Sequence, residues 1–265
     1  MFSYQQKVIF TVILCVSLNQ AKLTYTSANL PDEFIVNGGP YGHIGHVALI
    51  VSLINAPLEH GWLFTGSLIS PQHILTVAQA AENFHRWHVG VGSQNRGDLT
   101  FFWAEHATIH PNFNSRNLNN NLALLHLTAA VPTELATPAV ILPDNITPSL
   151  IHLFYGFGST DPNSKDALPN TLHQGQAAEF PLAQCQAIFG NQLVTNTSWC
   201  STPSTYGLCY GDQGGPLVHF TQLYIVGIAS FWMPPCASGR PNVFVRLSAY
   251  RDWIHGVINE DVGVN

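Results

Sequence analysis

The segment Gly211-Asp212-Gln213-Gly214-Gly215-Pro216 sets a carboxylate and a carboxamide in a glycine-dense turn. Glycines at that density let a backbone approach its neighbours closely and aim its N–H groups. The amide of Gln213 has no lone pair basic enough to attack a carbonyl and cannot be activated by a neighbouring base. Covalent acyl transfer therefore has no starting atom there. Two further carboxamides stand beside short apolar runs, Gln79 in Leu75-Thr76-Val77-Ala78-Gln79-Ala80 and Asn121 in Asn121-Leu122-Ala123-Leu124-Leu125. Neither titrates near neutral pH, so neither is a general base nor a counter-charge to one. Each can donate and accept hydrogen bonds in a partly buried cleft without the desolvation cost of a charge. Wherever the fold brings Gln79 and Gln213 together, a contact between the two amides is expected. His73, His85 and His126 lie close in sequence, but a base without a nucleophile still gives no acyl-enzyme.

The chain that must position these groups has 265 residues, 46% hydrophobic and 9% charged, enough for one two-lobed domain with a sizeable core. Its 9 Lys and Arg against 15 Asp and Glu give a net charge of -6 with no basic run. That composition argues against phosphate contacts and nucleic-acid partners. The 13 histidines are scattered and read mostly as surface residues. Lys7 followed by the apolar run Val8 to Leu18, ending near Ala21, is too short for a membrane span and reads as a secretory signal peptide over 1–21. A candidate propeptide covers 22–34 and the main domain 35–265. The product is expected to be secreted and extracellular, with no membrane association. Cys15 would leave with the signal, and Cys185, Cys200, Cys209 and Cys236 remain as an even set. Two bridges are expected, and three pairings are open. No C-x-x-C pair occurs, so no metal is expected, and no cofactor is implied. Asn145-Ile146-Thr147 and Asn196-Thr197-Ser198 are glycosylation acceptors, exposed if used.

Short apolar runs recur between turn signals at Val47 to Leu53, His88 to Val91, Leu122 to Leu127, Leu223 to Phe231 and Asn242 to Leu247. Such spacing predicts an all-β barrel or sandwich. Pro111 to Asn121 and Gly158 to Asn170 read as surface loops. At the tail the period changes: Tyr250, Trp253, Ile254 and Val257 share one helical face, with Ser248 placed to cap the start.

From Ile35 to about Val257 the chain resembles the trypsin and chymotrypsin family, through boxes in the family's order. They are Ile35-Val36-Asn37-Gly38, Gly66-Ser67-Leu68-Ile69-Ser70, the Gln79 segment, His110-Pro111, the Asn121 segment, Tyr155-Gly156-Phe157-Gly158, the Cys209 loop, Ser230-Phe231-Trp232 and Pro241-Asn242-Val243-Phe244. The start and the low charge look most like insect digestive chymotrypsin-like proteins. The resemblance implies two six-stranded antiparallel barrels packed face to face with a cleft between them, and a C-terminal helix. It also implies the pairings Cys185 with Cys200 and Cys209 with Cys236. A third family bridge is absent, since its two positions hold Phe64 and Ala80.

In this family a hydroxyl attacks, an imidazole shuttles its proton and a carboxylate orients the imidazole. The matching positions here hold Gln213, Gln79 and Asn121, so the resemblance implies a degenerate triad with no catalytic residue. The backbone N–H groups of Gly211 and Gln213 match an oxyanion hole, which needs no side chain. Gly207, Trp232 and Asn242 fall at the base and walls of the specificity pocket, and the bulk of Trp232 and Asn242 predicts a narrowed pocket. Ser230 to Trp232 could still offer a strand edge to an extended peptide. Asp212 and Ile35 match the activation pair, in which the carboxylate meets the α-amino group released by cleavage before Ile35. Asp32-Glu33-Phe34 lacks the basic residue a trypsin-like activator needs, so the uncut chain is the expectation. The implied function is that of an inactive homologue acting by binding an extracellular protein, such as a protease or a protease inhibitor. An active endopeptidase and a secreted structural or nutrient protein are the alternatives.

Overall fold

The computed structural model describes residues 39–40, 45–54, 61–141, 149–204, 207–221 and 224–262. The signal peptide, the 22–34 segment, Ile35 and Asn145 lie outside the described residues. A two-residue strand, β1 (Gly39–Pro40), precedes six strands that close on themselves. These are β2 (Val47–Leu53), β3 (Trp62–Ser70), β4 (His73–Thr76), β5 (Arg86–Val91), β6 (Thr100–Ile109) and β7 (Ala123–Leu127), antiparallel in the order β2-β3-β4-β7-β6-β5. The second sheet contains β8 (His152–Gly156), β9 (His173–Ala177), β10 (Ser198–Cys200), β11 (Pro216–His219), β12 (Ile225–Phe231) and β13 (Val243–Arg246). Its order is β1-β9-β8-β11-β12-β13-β10. The second sheet thus gains a seventh strand beyond the expected six, because Gly39 and Pro40 pair with Gln174 and His173 of β9.

Strand β2 shows how one run of residues builds both a barrel and its contact with the second sheet. Successive side chains on a strand point to opposite faces. Ala48 and Ile50 enter the core of the first barrel, while Val47 and Leu49 pack with Leu153, Tyr155, Phe157 and Val218 of the second sheet region. A nearly continuous apolar run is therefore required, and Val47 to Leu53 supplies it.

The two disulfides join Cys185 to Cys200 and Cys209 to Cys236, the pairings the resemblance implies. Cys185 sits in α1 (Leu182–Phe189), a helix that short apolar runs did not signal. At the positions of the missing bridge, Phe64 and Ala80 are buried in one core cluster, and Phe64 meets Phe84 edge to face. The Ala80 carbonyl accepts from Ser52 Oγ at 2.8 Å and Trp87 Nε1 at 2.7 Å. Two buried hydrogen bonds and an aromatic pair hold the segment where a cross-link would otherwise do so.

The tail forms α2 (Arg251–Val262), with Tyr250, Ile254 and Val257 buried against the first barrel's core. Ser248 does not cap it. It lies in a 3-10 turn, Leu247–Ala249, and the helix starts later. The histidines also depart from the surface expectation: His73, His152 and His219 are buried. His73 pairs in register with His126, and His152 with His219, so the strand period turns these imidazoles inward. Among the described residues no helix is long and apolar enough to cross a membrane.

Candidate functional site

Gln79 lies in a 3-10 turn after β4, Asn121 at the entrance to β7, and Gln213 in the turn before β11. The turn around Gln213 is built by close backbone packing. Thr65 N–H donates to the Gln213 carbonyl at 2.9 Å, Gly214 N–H to Ala229 O at 2.8 Å, and Thr65 Oγ1 to Gly211 O at 2.8 Å. Gly214 has φ +85°, and a Cβ there would stand 2.1 Å from the Thr65 carbonyl and 2.2 Å from Thr76 Oγ1. Only glycine fits that position. The glycines therefore anchor the turn to β3 and β4 whatever residue 213 is.

Two of the three carboxamides meet. Asn121, fully buried, donates through Nδ2 to Gln79 Oε1 at 2.9 Å and to Ser230 Oγ at 3.0 Å, and its Oδ1 accepts from Gln79 N–H at 3.3 Å. The third turns away. Gln213 Oε1 accepts from the N–H of Gly211 at 3.1 Å, and among the described residues no hydrogen bond links Gln79 to Gln213. The expected Gln79–Gln213 contact is thus replaced, because Gln79 Oε1 accepts from Asn121 and Gln213 Oε1 from Gly211. The oxyanion-hole expectation changes in the same way: Gly211 keeps the left-handed φ of +99°, but its N–H is covered by the side-chain carbonyl two residues on. Neutral amides satisfy one another here at no cost in buried charge.

His73, His85 and His126 do not enter this site. His73 Nδ1 contacts Ser70 Oγ at 2.6 Å across the turn joining β3 to β4, His126 Nε2 contacts Thr108 Oγ1 at 2.8 Å, and His85 is exposed. The Ser70 hydroxyl also accepts the Gln72 N–H at 3.3 Å, a local turn contact. Among the described residues no group of three His, Cys, Asp or Glu side chains is arranged to hold a metal ion.

The residues that the resemblance places at the pocket are held by their own neighbours. Asn242 is buried, its Oδ1 accepting from Leu208 N–H at 3.1 Å and its Nδ2 donating to Ser201 Oγ at 3.3 Å. That carboxamide faces Gly207 so closely that a Cβ on Gly207 would lie 3.0 Å from Asn242 Oδ1. Trp232 packs against the Cys209–Cys236 bridge, as does Ala237, and the Trp232 indole Nε1 is buried. Tyr210 meets the Trp232 ring edge-on, centroids 5.6 Å apart. Tyr210 was not singled out by sequence; its position beside Gly211 was the available signal.

Asp212 is wholly buried, its Oδ1 accepting from Gly158 N–H at 2.9 Å and its Oδ2 from Cys209 N–H at 2.8 Å. Burial pushes its carboxyl up to about 7, against the pull of those two N–H groups. Gly156 and Gly158 make room for it, since a Cβ on either would fall within 2.5 Å of Asp212 Oδ1. The spacing Tyr155-Gly156-Phe157-Gly158 is thereby explained as a cradle for a buried carboxylate. Asn196, the glycosylation acceptor among the described residues, is exposed.

The chain is 30% identical over 202 residues to brachyurin of Leptuca pugilator, covering 71% of this chain and 84% of that protein. It is 32% identical over 221 residues to the venom serine protease Bi-VSP of Bombus ignitus, covering 75% of this chain and 60% of that protein. It is 29% identical over 215 residues to trypsin-3 of Salmo salar, covering 78% and 87%. Among solved structures, HL collagenase superposes with a TM-score of 0.71 at 20% identity, covering 86% of this chain and 96% of that one. GrC does so with 0.71 at 21%, covering 82% and 95%. The family model described as Trypsin matches residues 36–254, and the chain belongs to the trypsin-like serine protease family.

Proposed function

We propose that this chain is a secreted, non-catalytic member of the family that acts by binding an extracellular protein, a protease or a protease inhibitor. The observation that carries this is the state of Gln213. It supplies no nucleophile, and its amide oxygen occupies the Gly211 N–H that would otherwise steady a developing oxyanion. Gln79 and Asn121 support the reading, because they form a closed carboxamide pair with no proton to shuttle. Trp232 and Asn242 extend it to recognition, since a substrate side chain would have to displace both from packed positions.

The same reading keeps the chain uncut before Ile35, with Asp212 held by backbone donors. An amino-terminal sequence starting at Ile35 in secreted material would overturn that part. For the function itself, purified recombinant chain is mixed with an active chymotrypsin-type protease and, separately, with a protein inhibitor of such proteases. A defined-stoichiometry complex by light scattering is expected with one of them, together with no turnover of a denatured protein substrate by the chain alone. Turnover by the chain alone, or no complex with either, contradicts the proposal.

A further inference from the structure

Where the chain passes from the first barrel to the second sheet lies a cavity of about 560 Å³ that shares no described residue with the carboxamide cleft. Its lining comes from residues 45–46 before β2, 92–94 after β5 and 133–140, with Val218 of β11 and Tyr224 before β12. The walls are pinned. Gly92 N–H donates to Gly45 O at 3.3 Å, Leu68 N–H to His46 O at 2.8 Å, Ala139 N–H to Leu68 O at 2.8 Å and Ile225 N–H to Val140 O at 3.0 Å. Gly92 has φ +91°, and a Cβ there would stand 2.5 Å from Leu135 Cδ1, so glycine is what lets Leu135 lie against that turn. The volume falls in the range of small-molecule sites, which are largely preformed.

The lining selects among ligand chemistries. Leu135, Ala136, Pro138, Ala139 and Val218 supply apolar surface. The one acidic side chain among the described lining residues is the exposed Glu134, and no Lys or Arg accompanies it. An anionic ligand would be repelled. A cation would gain little from a carboxylate in solvent and would meet the cost of leaving water. His46 adds the directional group. Its Nδ1 is buried with no hydrogen-bond partner among the described residues, and burial lowers its pKa to about 4, so the ring is neutral at physiological pH. A neutral imidazole has one donor and one acceptor nitrogen. A hydroxyl both donates and accepts, so it satisfies Nδ1 in either tautomer. The imidazole torsion χ2 is broad and roughly two-fold, which lets either edge of the ring turn towards the cavity.

We propose that this cavity binds a neutral, mainly apolar small molecule through one hydroxyl group hydrogen-bonded to His46. The site is independent of the degenerate cleft, so its failure leaves the non-catalytic reading intact. The test titrates the purified full-length chain near neutral pH, by calorimetry, with the phenol thymol. Beside it stand p-cymene, which lacks the hydroxyl, and cuminate and cuminylammonium, which carry a negative and a positive charge on a similar body. One thymol per chain is expected, with each of the other three weaker by at least the 2- to 10-fold or so that a neutral hydrogen bond is worth. His46→Phe removes both ring nitrogens and should weaken thymol by about 2- to 10-fold while leaving p-cymene unchanged. Thr137→Trp, at an exposed position of the lining, should obstruct the cavity and abolish thymol binding with an unchanged thermal melt, a readout that does not depend on His46→Phe folding. No saturable thymol binding, an equal or higher affinity for any of the three analogues, thymol binding undiminished by Thr137→Trp, or a folded His46→Phe chain with unchanged thymol affinity overturns the proposal.

Discussion

Restoring the three reactive groups should not restore an enzyme, and the structure says by how much it should fall short. In Gln79→His, Asn121→Asp, Gln213→Ser the donors for a buried carboxylate at 121 are already in place: the residue-79 N–H, now 3.3 Å from Oδ1, and the Ser230 hydroxyl, 3.0 Å from Nδ2. The new imidazole would add a third. The Gln213 carbonyl that covers Gly211 N–H would be gone. What remains is the narrowed pocket proposed from Trp232 and Asn242. Burying an aromatic substrate side chain is worth roughly 1.5–3 kcal/mol, or about 10- to 200-fold in kcat/KM, and Trp232 and Asn242 deny that burial. Adding Trp232→Gly and Asn242→Gly to the triple variant should therefore raise kcat/KM on a chymotrypsin-type peptide ester by about that factor. Thermal melts must accompany the kinetics, because Trp232 packs on the Cys209–Cys236 bridge and its loss costs stability. A triple variant that turns over the ester as fast as the five-fold variant, both folded, would refute the pocket argument.

Three smaller predictions follow from the same geometry. In Gln213→Ala the Gly211 amide loses its acceptor, and since a neutral hydrogen bond contributes about 0.5–1.5 kcal/mol, its hydrogen exchange should quicken by about 2- to 10-fold while the Thr65 amide, bonded to the residue-213 carbonyl, changes little. His152 is buried, and burial, with His219 beside it, pushes its pKa down to about 4. That value lies below the unfolded one of about 6.5, so its stabilising neutral form is fully favourable above pH 6.5 and is lost as pH falls towards 4. Discounted for solvent screening the loss is about 1–2 kcal/mol; His152→Leu should melt higher than the parent at pH 4.5 but not at pH 7.5, and an equal difference at both would discount the titration. Asp212 works in the opposite sense, its raised pKa eroding stability as pH rises from about 4 to about 7. Phe64→Ala should destabilise the fold by about 3–5 kcal/mol in chemical denaturation, and a loss under 1 kcal/mol would mean that packing does not stand in for the missing bridge.

Much of the fold was legible because the strands announce themselves. Val47 to Leu53 became β2 residue for residue, and the helical face of Tyr250, Ile254 and Val257 docks as its period requires. The seventh strand was not legible, since Gly39 and Pro40 carry no strand pattern and pair only because β9 presents a free edge to them. Helix α1 was missed for a related reason: it is eight residues long, and its buried positions Cys185 and Phe189 mark only one turn of period. At the site, the places of Gln79, Asn121 and Gln213 came from the resemblance, with the Gly-Asp-x-Gly-Gly-Pro and Ala-Leu-Leu frames fixing Gln213 and Asn121 without gaps. Which amide would pair with which depends on distances between segments far apart in the chain, and no local rule supplies those. The burial of His73, His152 and His219 was hidden for the same cause, because cross-strand register decides which face an imidazole takes.

The central claim is that no side chain at the cleft is an activated nucleophile. It is tested most directly by treating purified, folded chain with a fluorophosphonate alongside an active relative and measuring intact masses. The account predicts an unchanged mass for this chain and one stoichiometric adduct on the relative. A single stoichiometric adduct on this chain that maps to the cleft between Gln79 and Gln213 would contradict it.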